Sequence, residues 1–223
     1  MRKFAISDIH GCLKSFEALL DRIQFSSSDE LYLLGDYIDR GPDSKGVIDL
    51  IWKMQADGYA VSCLRGNHEQ MLLNLQEQRF HPYDRGDDAL LASFDVQHAT
   101  NIPEEYIDWC RNLPYYFEVD NYLLVHAGLD FSHPDPLQDP YSMLWIRNWR
   151  ADIDRNWLDG RIVVHGHTPT PRPAVIQYLQ AAPFTPEVVI DNGCVYYDRH
   201  PDLGALCALE LTKAELTFQD YVG

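Results

Sequence analysis

The sequence has no apolar run long enough to cross a bilayer, because a membrane-spanning helix needs about 20 consecutive apolar residues. Its first six residues lead into the polar pair Ser7-Asp8 too early to form the apolar region of a signal peptide. On these two absences we expect a cytoplasmic protein that makes no membrane contact.

Basic residues are scarce. The chain has 18 Lys and Arg against 34 Asp and Glu, which gives a formal net charge of −16. Binding along a nucleic-acid backbone needs clustered Lys and Arg, so we do not expect it here. A small anionic substrate stays compatible with this charge, because bound divalent cations can reverse the field inside an acidic pocket.

Cysteine is also sparse, and no two cysteines form a CxxC pair. The five that are present are odd in number and dispersed: Cys12, Cys63, Cys110, Cys194 and Cys207. This distribution favours reduced, structural thiols in a cytosolic enzyme over a disulfide framework.

The length of 223 residues fits one domain that spans residues 1–223. Strand-like and helical patterns alternate along it. Strands are predicted at 3–7, 30–34, 59–64, 115–119, 122–126, 161–164, 188–190, 205–211 and 215–220, and helices at 12–23, 45–55, 69–78 and 103–110. The alternation predicts an α/β fold with a partly parallel sheet. Residues 79–101 are polar and are predicted to form an irregular or helical excursion.

Polar side chains follow five of the predicted strands. The segments are Asp8-Ile9-His10-Gly11, Gly35-Asp36-Tyr37-Ile38-Asp39-Arg40-Gly41, Gly66-Asn67-His68-Glu69, His126-Ala127-Gly128 and His165-Gly166-His167-Thr168. The carboxyl ends of strands in an open α/β sheet converge on one crevice, so these distant segments can meet there.

The residue types suit a site for two metal ions. Asp8 and Asp36 offer hard oxygen ligands, while His10, His126 and His167 offer imidazole, a mixture that fits Mn, Fe or Zn. A carboxylate such as that of Asp36 can bridge two cations about 3.5–4 Å apart, the spacing of phosphatases that activate a water between them.

Each segment taken alone has a simpler interpretation. Asp8-x-His10 could be an Asx-turn beside a surface histidine, and Asn67 could cap the helix that follows it. The pair Asp39-Arg40 could be a solvated salt bridge of little energetic value. The joint occurrence of all five segments, each after a strand, favours the metal site.

These segments, in this order, resemble the PPP-type metallophosphatases of the calcineurin-like phosphoesterase superfamily. The resemblance covers Asp8 to about Gly193. It implies an αββα sandwich with two mixed central sheets and the metals at their upper edge. It also implies that Asp8, His10 and Asp36 hold one metal, and that Asp36, Asn67, His126 and His167 hold the other. Manganese is the ion we expect, with iron or zinc as alternatives.

The resemblance further implies the residues that act on the substrate. His68 is expected to be the general acid, oriented by Asp39, and the alternative for His68 is a plain contact to the phosphate. Arg40, Arg147 in Leu144-Trp145-Ile146-Arg147, and Asn67 are expected to bind the substrate phosphate. His165 competes with His167 for one ligand position, and the resemblance favours His167.

One departure indicates the branch of the family. Eukaryotic members carry Ser-Ala-Pro-Asn-Tyr-Cys near the last segment, where this chain has Asp191-Asn192-Gly193-Cys194-Val195-Tyr196. With Gly166-His167-Thr168-Pro169 and the short length, this favours the bacterial and phage serine/threonine phosphatase branch. Asp191 is expected to support the ligands without touching a metal.

Three functions follow from these patterns. The favoured one is hydrolysis of phosphoserine or phosphothreonine, and of phosphotyrosine, on proteins by water activated between two metals. The alternative is hydrolysis of diadenosine tetraphosphate or a related nucleotide, and the least favoured is an inactive metal-binding scaffold. Residues 79–114 are expected to form a lid or substrate-selecting excursion, whose aromatics either stack a base or pack internally: Phe80, Tyr83, Phe94, Tyr106 and Trp109.

Overall fold

A computed structural model describes residues 1–77 and 88–223. The strands are β1 Lys3–Ile6, β2 Glu30–Leu33, β3 Ala60–Cys63, β4 Tyr116–Val119, β5 Tyr122–Val125, β6 Ile162–His165, β7 Glu187–Val189, β8 Ala205–Glu210 and β9 Glu215–Asp220. The α-helices are α1 Leu13–Arg22, α2 Ser44–Ala56, α3 Asn67–Gln76, α4 Asp88–Ser93, α5 Glu104–Asn112, α6 Pro140–Trp145, α7 Arg155–Leu158 and α8 Arg172–Ala181. Each predicted strand is present, with ends shifted by one residue at most.

The larger sheet has the strand order β3-β2-β1-β8-β9. The strands β1, β2 and β3 run parallel, whereas β8 is antiparallel to both β1 and β9. The helices α1 and α2 connect the parallel strands, as crossover connections between parallel strands require. The carboxyl ends of β1, β2 and β3 therefore lie along one edge of this sheet.

The smaller sheet has the order β4-β5-β6-β7. The strands β4 and β5 form an antiparallel hairpin across Asp120-Asn121, and β5, β6 and β7 are parallel. Both sheets are thus mixed, as the resemblance implied. The last strand, β7, begins at Glu187, one residue earlier than the pattern predicted.

The two sheets pack face to face across an apolar layer. Ala5 and Leu209 of the larger sheet pack in one cluster with Leu124 and Val164 of the smaller sheet. A second cluster lies under α1 and α2 on the outer face of the larger sheet. A third covers the outer face of the smaller sheet and includes Trp149. This layering confirms the αββα sandwich and brings the carboxyl ends of both sets of parallel strands together.

The region predicted as a substrate-selecting excursion is partly helical where the structure describes it. The helices α4 and α5 lie in it, and Phe94 and Tyr106 are buried in the core beside the partly buried Trp109. Phe94 and Tyr106 thus pack internally, and Trp109 does so in part. Phe80 and Tyr83 lie outside the described residues.

Two other expectations concern disulfide bonds and membrane-spanning helices. All five cysteines are buried and free, as the sequence indicated. Among the described residues, no helix is both long enough and apolar enough to cross a membrane.

Candidate metal centre

The loops that follow β1, β2, β3, β5 and β6 converge at one edge of the sandwich. Six residues of these loops have a positive φ, between 46° and 69°: Asp8, His10, Asp36, Asp39, Arg40 and His167. A non-glycine residue in this region of φ/ψ costs about 1–3 kcal/mol and is held only where the surroundings over-determine it. Strain is therefore concentrated in the loops that carry the predicted site.

Two glycines allow these loops to approach one another closely. Gly35 has φ +98°, and a Cβ there would lie 2.5 Å from the backbone nitrogen of Gly66. A Cβ on Gly166 would overlap the carboxylate of Asp8. Glycine is needed at both positions because the strand-end loops touch backbone to backbone and backbone to carboxylate.

One group of potential ligands consists of Asp36, His126 and His167, whose ligand atoms lie within 4.8 Å of one another. Asn67 Oδ1 lies between the two rings, 2.9 Å from His126 Nε2 and 2.8 Å from His167 Nδ1. The other nitrogen of His126 is 2.9 Å from the carbonyl oxygen of Leu34, which fixes the orientation of its ring. These four side chains are those expected to hold the second metal.

A second group consists of His10, Asp36 and His68, again within 4.8 Å of one another. His10 Nδ1 is 2.8 Å from the carbonyl oxygen of Ile38, so His10 Nε2 faces the centre. Asp36 belongs to both groups. Its Oδ1 is 3.4 Å from His126 Nε2, and its Oδ2 is 3.4 Å from His10 Nε2. A carboxylate with one oxygen toward each group can bridge two cations.

The electrostatics of these residues favour a bound cation. Burial, followed by the neighbouring charge of Asp8, raises the pKa of Asp36 well above its ordinary value. Burial also lowers the pKa of His10, His126 and His167, which keeps the imidazoles neutral. Neutral imidazole and ionised carboxylate are the forms that bind metal, and a cation would relieve the repulsion between carboxylates. His167 Nε2 is moreover buried without a hydrogen-bond partner among the described residues. The donor set therefore fits divalent metal ions.

Asp8 lies beside these groups but in neither of them. Both of its carboxylate oxygens accept a hydrogen bond from the backbone N–H of His167, at 3.1 and 2.9 Å. Asp191 is buried nearby, and burial together with the charge of Asp8 raises its pKa well above the ordinary value. Its Oδ1 accepts from the backbone N–H of Gly193.

The residues expected to act on the substrate line one cleft of about 530 Å³ beside the ligand groups. Its walls are formed by Arg40, Asn67, His68, Met71, Trp145, Arg147 and His167. His68 Nδ1 lies 2.5 Å from Asp39 Oδ2. Arg40 Nη1 is 2.7 Å from His10 Nε2, and Arg147 Nη1 donates to Thr168 Oγ1 at 2.9 Å. The structure thus brings together every predicted site residue, although they come from five separate loops and the end of α6.

Sequence reasoning missed the residue that ties two of these loops together. Glu69 is fully buried, and its carboxylate accepts hydrogen bonds from the backbone N–H groups of Asp36, Tyr37 and Gly66, at 2.8 to 2.9 Å. Burial raises its pKa to about 7. From the sequence, Glu69 was placed only in the first turn of a helix. Its adjacency to Asn67-His68 was a signal that it belongs to the site.

Residues 1–202 match the family model described as calcineurin-like phosphoesterase. The chain belongs to this family. Members of the calcineurin-like phosphoesterase family are metallophosphoesterases that use divalent metals, and this chain has two candidate groups of ligands for such ions.

Curated relatives of this phosphoesterase include two kinds of nucleotide hydrolase. A symmetrical bis(5′-nucleosyl)-tetraphosphatase from Dechloromonas aromatica is 38% identical over 133 residues, which are 58% of this chain and 44% of that protein. The asymmetrical bis(5′-nucleosyl)-tetraphosphatase PrpE from Oceanobacillus iheyensis is 25% identical over 218 residues, 86% of this chain and 83% of that protein. The match to the first kind therefore spans less than half of the relative.

Solved structures confirm the fold of the phosphoesterase. A crystal structure provisionally described as a diadenosine tetraphosphatase aligns with a TM-score of 0.69 at 22% identity, covering 100% of this chain and 94% of that chain. A serine/threonine phosphatase from Saccharomyces cerevisiae aligns with a TM-score of 0.68 at 16% identity, covering 100% and 81%. Both kinds of enzyme share this architecture, so the fold alone does not choose between their substrates.

His165 lies apart from both ligand groups. Its Nε2 is 3.2 Å from Glu187 Oε1, and its ring packs edge-on against that of Trp149, with 5.2 Å between the centroids. His167, the histidine favoured by the resemblance, is the one in a ligand group.

Proposed function

We propose that this phosphoesterase hydrolyses dinucleoside polyphosphates such as diadenosine tetraphosphate. The observation that carries the proposal is the match to two kinds of bis(5′-nucleosyl)-tetraphosphatase, one of them along 86% of this chain. The sequence patterns alone favoured phosphoproteins and kept the nucleotide as the alternative. The relatives support that alternative instead.

In this proposal the site holds two divalent ions, with manganese as the working choice. One ion is held by His10 and Asp36 of the one ligand group together with the neighbouring Asp8, and His68 of that group acts on the substrate instead. The other ion is held by His126, His167 and the shared Asp36 together with Asn67. When bound, two such ions polarise the phosphoryl oxygens and lower the pKa of a bound water to near neutrality. The rest of the chemistry belongs to side chains of the cleft.

Arg40 and Arg147 are proposed to bind the phosphoryl group under attack. Their guanidinium groups lie on the wall of the same cleft, and a planar fork of N–H donors matches two phosphate oxygens at once. Positive side chains at this place are also needed because a polyphosphate must enter a protein with a net charge of −16. Asn67 contributes its amide to the same wall.

His68 is proposed to donate a proton to the leaving oxygen. The contact of its Nδ1 with Asp39 fixes the ring and leaves Nε2 facing the cleft. For a phosphoserine the leaving oxygen is an alkoxide, which needs this proton. For a dinucleoside polyphosphate it is a phosphate oxygen, a far weaker base that can depart without full protonation.

The test is a direct comparison of substrates. Metal-stripped protein is reloaded with Mn²⁺, and its kcat/KM is measured for diadenosine tetraphosphate, a phosphoserine peptide and a phosphotyrosine peptide. We expect kcat/KM for the dinucleotide to exceed both peptide values by about tenfold or more, equivalent to about 1.4 kcal/mol of transition-state binding. Preference for either peptide would overturn the proposal and support phosphoprotein hydrolysis. No turnover of any of the three would support the metal-binding scaffold.

A further inference from the structure

A second cavity of about 680 Å³ lies next to the catalytic cleft. Its walls are residues 146–151, the ends of β6 and β7, and Tyr178 of α8. Arg147 lines both this second cavity and the cleft. A ligand whose phosphate is bound by Arg147 can therefore extend from the cleft into the second cavity.

The second cavity is positively charged in a strongly acidic protein. Among the described residues, Arg147, Arg150 and Arg155 line it, against one carboxylate, that of Glu187. Arg150 pairs with Glu187 at 3.1 Å, and Glu187 also contacts His165, so this carboxylate is already engaged on both oxygens. The charge left over in the cavity is positive, which favours an anionic ligand.

The second cavity also has a flat surface built from a cation and a ring. The guanidinium of Arg150 lies over the ring of Tyr178, 4.4 Å from its centroid. Guanidinium planes and aromatic rings both stack on nucleobases. Arg155 is exposed and is held by donating to the carbonyl oxygen of Phe184, which leaves its other N–H donors for a ligand.

We propose that the second cavity binds the half of a dinucleoside polyphosphate that lies beyond the phosphate under attack. The proposal rests on the function proposed above and names the subsite that selects this substrate. Arg155 binds the distal phosphates, and the distal nucleoside lies against the surface formed by Arg150 and Tyr178. The volume is within the range of about 300–1,000 Å³ typical of small-molecule sites.

The proposal explains how a phosphoesterase cleft can distinguish a dinucleotide from a monoester. A small monoester reaches only the cleft and Arg147, so it gains nothing from Arg150 or Arg155. A dinucleotide gains charge-assisted hydrogen bonds in both cavities, and such bonds are roughly twice as strong as those between neutral groups. Binding in the second cavity therefore favours a dinucleotide over a small monoester as substrate.

The first experiment compares Arg155→Gln with the wild type on two substrates, diadenosine tetraphosphate and p-nitrophenyl phosphate. We expect the ratio of their kcat/KM values to fall by about tenfold, mostly through a higher KM for the dinucleotide. Arg22→Gln is the matched control. Arg22, at the end of α1, is also exposed and also donates to a backbone carbonyl, that of Phe218. Its ratio should stay within about twofold of the wild type. An unchanged ratio in Arg155→Gln and in Arg150→Gln would overturn the proposal.

A second experiment is independent of turnover. Calorimetry measures the binding of the β,γ-methylene analogue of ATP and of inorganic phosphate to the Mn²⁺-loaded wild type and Arg155→Gln. We expect Kd for the analogue to rise by about tenfold and Kd for phosphate to change by less than about twofold. Equal changes for both ligands would assign Arg155 to the cleft instead and overturn the subsite. A third outcome separates the two proposals. If binding of the analogue depends on Arg155 as expected but the wild type does not hydrolyse the dinucleotide, the proposed function fails and the second cavity remains a nucleotide site.

Discussion

His68 Nδ1 lies 2.5 Å from Asp39 Oδ2, and both side chains are buried. The other ring nitrogen, Nε2, is 3.9 Å from Asp36 Oδ2, on the side of the ligand groups and the cleft. A carboxylate on one nitrogen of a histidine fixes the tautomer and the direction of the other. This geometry suits a proton donor beside the metals, and it also places His68 where it could be a ligand.

Replacing His68 by Asn separates these two roles. As a proton donor, His68 contributes typically 10²–10⁴-fold to the rate with a poor leaving group, so we expect a loss of about that size on a phosphoserine peptide. On diadenosine tetraphosphate we expect a loss of only about tenfold, because the departing phosphate oxygen needs little protonation. Metal content, measured by inductively coupled plasma mass spectrometry, should stay at the wild-type value. Loss of one ion from His68→Asn would show that His68 is a ligand, and equal rate losses on the two substrates would contradict the proton-donor role.

Removing ligands one at a time should reveal the shared position of Asp36. Asp36→Asn weakens both ligand groups, so we expect the purified protein to lose most of both ions. His167→Ala weakens one group only, and we expect it to lose about one ion of two. The control is His133→Ala, since His133 is exposed and lies outside both groups. Metal content again decides the matter, and equal losses from Asp36→Asn and His167→Ala would contradict the bridging position.

The strands and the metal-binding segments were predictable from the sequence because both follow local rules. Each of the five polar segments comes directly after an apolar run, and the parallel arrangement of β1, β2 and β3 makes the carboxyl ends of those runs neighbours. The helices α1, α2 and α5 were also predicted from the sequence. Their observed ends differ from the predicted ones by one or two residues, as is usual for helix termini.

Contacts between distant segments were not predictable in this way. The helix α6 has a clear start at Asp139-Pro140, an N-cap followed by proline, but with six residues it is too short to show a periodic pattern. Val175 is the one buried residue of α8. The helix therefore has no clear apolar face that a sequence pattern could reveal. The second cavity depends on α8, on the ends of β6 and β7 and on a loop with little regular structure, which only tertiary packing brings together.

The contacts of Glu69 make it a positioning residue for the metal site. In Glu69→Gln an amide N–H₂ replaces one oxygen and faces a backbone N–H, so at least one buried donor of Asp36, Tyr37 or Gly66 is left unpaired. Such a loss costs about 1–3 kcal/mol. We expect a fall of this size in the free energy of unfolding of the metal-free protein, measured with urea, and weaker binding of Mn²⁺. Glu17→Gln, on the exposed side of α1, should change the unfolding free energy by less than about 0.5 kcal/mol. Wild-type stability in Glu69→Gln would show that the two loops hold their conformation without the carboxylate.

The ion pair of Arg2 with Asp29 should stabilise the protein in a pH-dependent way, far from the metals. Hydrogen bonds from the Arg2 guanidinium, at 3.0 and 2.6 Å, lower the pKa of the buried Asp29 carboxyl from 3.8 to about 2. A pKa that is depressed in the folded state adds stability above the unfolded value, and that stability is lost as the pH falls through the folded value. After discounting for the partial exposure of Arg2, we expect Asp29→Asn to lower the free energy of unfolding by about 1–2 kcal/mol at pH 7.

The difference in unfolding free energy between the wild type and Asp29→Asn should persist at pH 5 and shrink by about half near pH 3. At pH 3 the Asp29 carboxyl is largely protonated in the unfolded chain but still ionised in the folded protein. Urea unfolding of the wild type and Asp29→Asn at pH 7, 5 and 3 measures it. Asp57→Asn is the control, because Asp57 forms an exposed pair with Lys53 in which both side chains are at least half exposed. It should change the unfolding free energy by less than about 0.5 kcal/mol at each pH. A difference for Asp29→Asn that stays constant from pH 7 to pH 3 would mean that the charge of Asp29 contributes nothing. The asparagine would then act by disturbing the turn in which the backbone N–H and the hydroxyl of Ser26 donate to the Asp29 carboxylate.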